Sequence, residues 1–114
     1  MSRAYVEAIV TWDDKWLERI GGVINLMGMT YYHFITNSKG NDGVEESWSI
    51  FIAIYDIKSE KEYYTRLKFL VEDDIAPWEI VKKGNIIPLY MAADIVAKAE
   101  IISEPKIGEF YEGG

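Results

Sequence analysis

Residues 84–102 read Gly84-Asn85-Ile86-Ile87-Pro88-Leu89-Tyr90-Met91-Ala92-Ala93-Asp94-Ile95-Val96-Ala97-Lys98-Ala99-Glu100-Ile101-Ile102. Two short apolar runs flank a turn of small residues. In the second run Ile95, Ala97, Ala99 and Ile101 fall on one side of a period-two repeat, and Val96, Lys98, Glu100 and Ile102 fall on the other. Alternation of that kind marks half-buried strands rather than a helix. The stretch therefore reads as a closing hairpin of a small β-barrel. Pro88 lacks an N–H, so the strand from Ile86 to Met91 is expected at an edge or bulged there.

Working back from that hairpin, Ser47 to Glu72 reads as a second one. Trp48, Ile50, Ile52 and Ile54 alternate with Ser49, Phe51, Ala53 and Tyr55, and Thr65, Leu67, Phe69 and Val71 alternate with Tyr64, Arg66, Lys68 and Leu70. A four-residue loop, Lys58 to Lys61, would pair Ile57 with Glu62. It would set Ile52 against Leu67, Ile50 against Phe69, Trp48 against Val71 and Tyr55 against Tyr64. The apolar faces then coincide, and a one-residue slip would oppose apolar to polar along the whole pair. Near the start, Ala4 to Trp12 is a strand with Ala4, Val6, Ala8, Val10 and Trp12 on one face.

Between the strands lie two short helical turns. Asp13 can cap the segment Asp13–Ile20, where Trp16 and Ile20 share a side and Gly21-Gly22 ends the turn. Ala76 to Gly84 carries an early proline, Glu79 in its first turn, Lys82-Lys83 in its last, and a glycine after it. Val23 to Thr36 is a long apolar and aromatic run, bent at Gly28, with no clear buried side. Asn37 to Gly43 has loop composition. These elements predict an all-β fold: a six- or seven-stranded antiparallel barrel or sandwich with one or two short helical turns. Residues 1–105 are expected to form a single β-barrel domain, and Lys106 to Gly114 a flexible C-terminal tail.

Length and composition agree with one globular domain. The 114 residues are 49% hydrophobic and 27% charged, and no apolar run reaches the length of a membrane-spanning helix. The opening residues do not read as a signal peptide, since Glu7 interrupts any apolar core. Zero cysteines exclude disulfides and thiolate metal sites and fit a reducing compartment, so a cytoplasmic location is expected. The formal charge of −7, with nineteen acidic against twelve basic residues, disfavours direct nucleic-acid binding, which needs clustered Lys and Arg. It favours a basic protein partner or, as is commoner, simply keeps the protein soluble.

Part of the chain, residues 71–102, resembles the C-terminal β-barrel domain of elongation factor Tu and related translation GTPases. Asp74-Ile75-Ala76-Pro77-Trp78-Glu79 followed by Gly84 resembles the segment that enters the family's hairpin. Ile87 and Leu89 match its first apolar pair, Ala92-Ala93 stands at its glycine turn, and Val96, Ala97 and Ala99 lie where the family has Val-Gly-x-Gly. The family's arginine is Tyr90 here, and its paired glycines are alanines. The resemblance implies a barrel fold. It carries over no functional residue, and the chain contains no phosphate-binding loop.

Catalytic candidates are few. His33, the one histidine, sits in Tyr31-Tyr32-His33-Phe34 within an expected strand, a setting for a structural hydrogen bond. No serine has the glycine elbow of an exposed nucleophile. The adjacent carboxylates Asp13-Asp14, Glu45-Glu46 and Glu72-Asp73-Asp74 read as solvated turn residues, because neighbours on a strand point to opposite faces. Lys39 stands where a calcium loop would need an oxygen ligand. No catalytic residue, metal site or cofactor is assigned.

The aromatics are the better lead: eight Tyr, four Trp and four Phe. Exposed tyrosines among charges are common on binding surfaces. Tyr31, Tyr32, His33, Tyr55, Tyr64 and Tyr90 are the candidate binding residues. The sequence is thus expected to encode a non-catalytic acidic β-barrel that binds a protein, as an adaptor, inhibitor or immunity-type protein. The alternatives are a barrel binding a small molecule or carbohydrate through surface tyrosines, and a small carboxylate-dependent enzyme.

Overall fold

The computed structural model of the chain describes residues 3–19, 32–39, 45–59, 61–91 and 94–108, with the backbone alone described at 3, 32–35, 37–39, 45 and 46. Its elements are β1 (Arg3–Trp12), α1 (Asp14–Arg19), β2 (Tyr32–Lys39), β3 (Glu45–Ile57), β4 (Glu62–Phe69), a 3₁₀ turn (Trp78–Val81), β5 (Ile86–Met91), β6 (Asp94–Ile101) and β7 (Lys106–Gly108). Neighbouring strands follow the order β4-β3-β2-β5-β6-β1-β7, and a further β4–β1 pairing closes the first six into an antiparallel barrel. Closure removes the edges that an open sheet would present to other chains.

Alternation in the sequence sets which side faces in. Val6, Ala8 and Val10 are fully buried on β1, as are Ile50 and Ile52 on β3, Tyr63, Thr65 and Leu67 on β4, and Leu89 and Ala99 on β5 and β6. Complete burial of a side chain such as Leu67 is worth about 1.5–3 kcal/mol over leaving it in water. The two helical turns plug the ends. At one end Trp16 of α1 stacks on Trp12 (ring centroids 5.1 Å apart), and Tyr63 meets Trp12 edge-on. At the other, Trp78 and Trp48 each meet Phe69 edge-on, and Val81 is fully buried.

The first turn starts as its sequence predicts; the second has Pro77 before it and Glu79 in its first turn as expected, but it ends at Val81, so Lys82 and Lys83 lie beyond its last turn. Asp13 Oδ2 accepts from the Trp16 N–H (3.2 Å), which satisfies one orphan donor of α1. Gly84 follows the 3₁₀ turn at φ +96°, a left-handed conformation that a side chain would strain. Ile20, Gly21-Gly22, Gly28 and the Ala92-Ala93 turn lie outside the described residues.

Four expectations are corrected. First, β2 runs through Asn37 to Lys39, paired with Ser47 to Glu45; ladder pairing overrides the loop composition of these three residues. Second, of the edge or bulge expected at Pro88, the edge is excluded and an irregularity is found one residue further on. Strand β5 lies between β6 and β2, and the register shifts between Leu89 and Tyr90. The Pro88 carbonyl accepts from Thr36 Oγ1 of β2 at 2.7 Å, so a buried hydroxyl serves the seam where proline offers no N–H.

Third, the β3–β4 register holds at Ile50↔Phe69 and Ile52↔Leu67 but shifts between Ile54 and Asp56. Asp56, not Tyr55, stands opposite Tyr64, and Ile57 pairs with Tyr63 rather than Glu62. A bulge sets two residues of one strand against one of the other. It keeps Tyr63 and Thr65 directed inward, where β1 also pairs with them through Val10 and Ala8. Strand β4 ends at Phe69, and the Leu70 N–H still donates to the Ser49 carbonyl (2.9 Å), which continues the expected register toward Trp48 and Val71.

Fourth, the expected tail does not start at Lys106. Lys106–Gly108 form β7, paired with Tyr5, Ala4 and Arg3. Between β6 and β7 the Glu7 N–H donates to Ser103 Oγ (2.9 Å), which in turn donates to the Glu104 carbonyl (3.0 Å). Ser103 thereby fills the gap in the ladder and carries the chain on along β1.

Thr36→Val, which keeps the shape and removes the donor, is expected to destabilise the fold by about 1–3 kcal/mol, while Thr36→Ser retains most of the stability. Urea denaturation of the three proteins checks this.

Candidate functional site

The outward residues of β4 are Glu62, Tyr64, Arg66 and Lys68, spaced by two. Register places Ile9 and Glu7 of β1 beside Tyr64 and Arg66 on one flank. On the other flank it places Asp56, Ala53 and Phe51 of β3 beside Tyr64, Arg66 and Lys68. Lys106 of β7 lies opposite Tyr5 on the far side of β1. Four sequence-distant segments thus build one outer face.

Ala53 makes the dimple at its centre. It points outward yet is only 1% exposed, because larger side chains roof it over. Tyr5 packs against it and is itself only 8% exposed, and Phe51 and Tyr55 pack on the pair. The Arg66 guanidinium lies over both tyrosine rings, 4.9 Å from the Tyr5 centroid and 4.2 Å from that of Tyr55. Its Nη1 also donates to Tyr55 Oη at 3.3 Å. Each partly desolvated cation–π contact is worth about 0.5–2 kcal/mol. Lys68 Nζ lies 5.7 Å from the centre of the Phe51 ring.

Glu7 ties β1 to its neighbours. The Tyr64 hydroxyl donates to Glu7 Oε2, and Lys106 Nζ donates to Oε1 at 2.8 Å. These bonds, Lys106 first and Tyr64 second, hold the Glu7 carboxyl below the usual carboxylate range. The bond to Glu7 also pushes the Tyr64 phenol up, with burial adding to it. Lys106, at the exposed end of the network, is raised by the same carboxylate.

The structure divides the sequence-predicted site residues. Tyr55 and Tyr64 join this face, linked through Arg66 and Glu7 rather than by direct opposition. Tyr90 does not join it: it lies on β5 between Ile35 and Ile95, on the strand farthest from β4 around the ring. Tyr32 and His33 are in β2 at the register positions opposite Ile52 and Phe51; their side chains, and all of Tyr31, lie outside the described residues. Tyr5, Glu7, Arg66 and Lys106 complete the cluster. Their chemical types gave no warning of this, since only strand order brings residues 5, 66 and 106 together.

Charge is also sorted by position. Among the described residues the face carries Arg66, Lys68 and Lys106 together with the carboxylates Glu7 and Asp56, and Glu62 lies at its end, in a chain of net charge −7. Exposed acids gather at the barrel's ends. Asp13, Asp14, Glu18, Glu62 and Asp94 are at one end, where Lys61 pairs with Asp14 (2.7 Å) and Arg19 with Asp94 (3.7 Å). Glu72, Asp74 and Glu79 are at the other, and exposed Glu104 lies between β6 and β7 beside the middle of β1. Asp73 is not the solvated turn residue its neighbours suggest: its Oδ2 accepts from the Ala4 N–H at 2.9 Å.

Two shallow depressions flank the start of β6. One of about 240 Å³ is lined by Trp16, Arg19, Met91, Asp94 and Val96, and one of about 260 Å³ includes Thr11, Trp12, Ile95 and Lys98. Both fall below the roughly 300–1,000 Å³ of typical small-molecule sites. Among the described residues no group of three or more His, Asp or Glu side chains could hold a metal ion, and no helix is long and apolar enough to cross a membrane. No family model matches the chain, and no curated protein or solved structure is detectably similar to it.

The Glu7 network makes stability depend on pH with a definite sign. A carboxyl whose folded pKa is depressed contributes stability above its unfolded pKa and loses it as pH falls through the folded value. Tyr64, raised when folded, contributes below its unfolded pKa and loses that contribution as pH rises above about 10. The stability gap between wild type and Glu7→Gln is therefore expected to be largest near neutrality. It should close below the ordinary carboxylate range and narrow again in alkali. Denaturant unfolding of both proteins across pH measures the gap.

Proposed function

We propose that this protein is a non-catalytic β-barrel module that binds a protein partner through the outer face of β1, β3, β4 and β7. The observation that carries this reading is the Tyr5–Arg66–Tyr55 stack around Ala53. Aromatic residues and arginine dominate the cores of protein interfaces. Here they are held in one arrangement by packing and hydrogen bonds before any partner arrives, so little side-chain entropy remains to be lost on docking.

The titration of the cluster supports a binding rather than a catalytic role. A general acid and base work best with pKa values near the operating pH. Glu7 is moved down and Tyr64 up, so each is driven away from neutrality. The Glu7–Tyr64–Lys106 bonds serve to fix β1, β4 and β7 against one another. The size of the two depressions beside β6 weighs against a small-ligand site at those two places. The segment that resembles the translation-factor barrel, residues 71–102, supplies none of the residues of this face.

The tyrosines and the negative charge, joined in the sequence reading into one surface for a basic partner, occupy different places. The acids at the two ends support a basic partner only as a second reading, with docking at an end rather than on the side.

Affinity capture from the host's lysate separates the two. Wild type, a Phe51→Ala/Tyr55→Ala variant and a Tyr90→Ala control on the opposite strand are compared, with folding checked by circular dichroism. The face variant is expected to lose the partner by roughly thirty-fold or more, the effect of about 2 kcal/mol at an interface hot spot. Tyr90→Ala should retain it. Loss on Tyr90→Ala with retention by the face variant would reject the side-docking reading.

A further inference from the structure

We infer that two copies of this chain pair face to face through the outer side of β5, β6 and β1, about a two-fold axis that crosses β6 at Ala99. The contact is centred away from the docking face, and the inference does not rest on that reading. Opposed residues of an antiparallel pair share one side of the sheet. On the outer side the β5–β6 ladder sets Ile86 against Glu100 and Pro88 against Lys98 and, after the register skips Val96, Tyr90 against Ile95. On the other flank of β6, Glu100 stands beside Ile9 of β1 and Lys98 beside Thr11. Ile86 is 65% exposed and Ile95 50%, so an apolar strip lies open with one cation and one anion at its centre.

Those two charges select the occupant. Lys98 and Glu100 lie two residues apart on one strand, about 7 Å, and neither side chain forms an ion pair or hydrogen bond among the described residues. Their order makes the surface its own complement. When two like sheets pack face to face, the two-fold axis lies in the contact plane. An axis along β6 would set Lys98 over Lys98 and Glu100 over Glu100 of the second copy, which repels. An axis across β6 at Ala99 reverses the strand and sets each Lys98 over Glu100 of the second copy, a self-complementary contact of the kind a closed dimer requires. The same axis lays Ile86 over Pro88 and Ile9 over Thr11, so no apolar group of the strip meets a charge.

The charges around the strip fit this arrangement. Glu62, beside Thr11 on β4, falls over Tyr64, which stands beside Ile9. Glu7 falls toward Asp13 at the rim, where Lys106, bonded to Glu7 at 2.8 Å, offsets the second acid. Glu104, past one end of β6, falls toward the Arg19–Asp94 pair at the other. The strip is three strands wide, about 10 Å between its outer strands, and the convex barrel limits contact beyond it. That width falls short of the roughly 800 Å² per partner of a standard stable interface, so the dimer is a weak one.

Sedimentation equilibrium of the full chain tests this, in about 0.15 M salt so that repulsion between two chains of net charge −7 is screened beyond about 8 Å. The mass is expected to rise from 13.1 kDa toward twice that value as the chain passes roughly 0.1 mM. Amides of Ile86, Lys98 and Glu100 in a ¹⁵N-labelled sample should shift over the same range. Lys98→Glu and Glu100→Lys each bring like charges together and should weaken association about ten-fold or more. An equal mixture of these two variants restores association, because each supplies the charge the other lacks, and Lys98→Glu/Glu100→Lys restores it within one chain. The amide spectrum reports the folding of each variant, and the double variant serves where a single one fails to fold. Phe51→Ala/Tyr55→Ala should associate as wild type does. The inference is overturned if wild type keeps one mass up to about 1 mM, if either folded single variant associates as strongly as wild type, or if neither the mixture nor the double variant recovers association. It is also overturned if Phe51→Ala/Tyr55→Ala abolishes association, which would place the self-contact on the docking face.

Discussion

Strand β1 is hydrogen-bonded along both sides at once, to β4 through Val6–Thr11 and to β6 and β7 through Ala8–Trp12 and Arg3–Tyr5. That double pairing converts a curled sheet into a barrel, and most of the rest follows from it. It sets the inward residues of four strands against a single core. Once β1 is in register with both neighbours, no strand can slip alone, because a one-residue slip would turn Val6, Ala8 and Val10 to solvent. The bulge at Ile54–Asp56 and the Ser103 bridge are local adjustments to this demand. Each inserts an irregularity where the ladder would otherwise pull an inward residue out.

The same constraint builds the candidate site. Because β4 lies between β1 and β3, its outward residues receive neighbours from both, and β7 adds Lys106 along the far edge of β1. Convex barrel surfaces spread side chains apart, which would normally leave them solvated. Here the smallest residue of the face, Ala53, lets Tyr5 reach across β4, and Arg66 closes over the gap. The outer face thereby acquires a small packed cluster of its own, separate from the barrel interior. A packed aromatic surface of mixed charge on an acidic protein is a different object from a uniformly acidic one, and the functional reading turns on that difference.

Strand positions were legible wherever one face is buried and the other wet. The alternations Ala4–Trp12, Ile50–Ile54 and Thr65–Phe69 placed their inward residues correctly, because period-two burial is a local property of the chain. Val96 broke the pattern at the start of β6: it is buried on the side expected to be outward, where Trp16 of α1 lies beside it. Lys106 to Gly108 looked like a tail because three residues carry no alternation worth reading. Their strand exists only because β1 offers an unpaired side there. Two of the six candidate binding residues, Tyr55 and Tyr64, fell on the cluster, and Tyr90 fell on the opposite strand.

The sequence by itself determined the all-β class, the two hairpins, the Asp13 cap of α1 and most of the core, since each depends on residue type and spacing within a few positions. Only the tertiary structure decided strand order, the β3 bulge, the end-to-side sorting of charge and the meeting of Tyr5, Glu7, Tyr55, Tyr64, Arg66 and Lys106. Those depend on which distant strands lie side by side. Long-range pairing is chosen by the collective burial of one core, and no window of the chain records it.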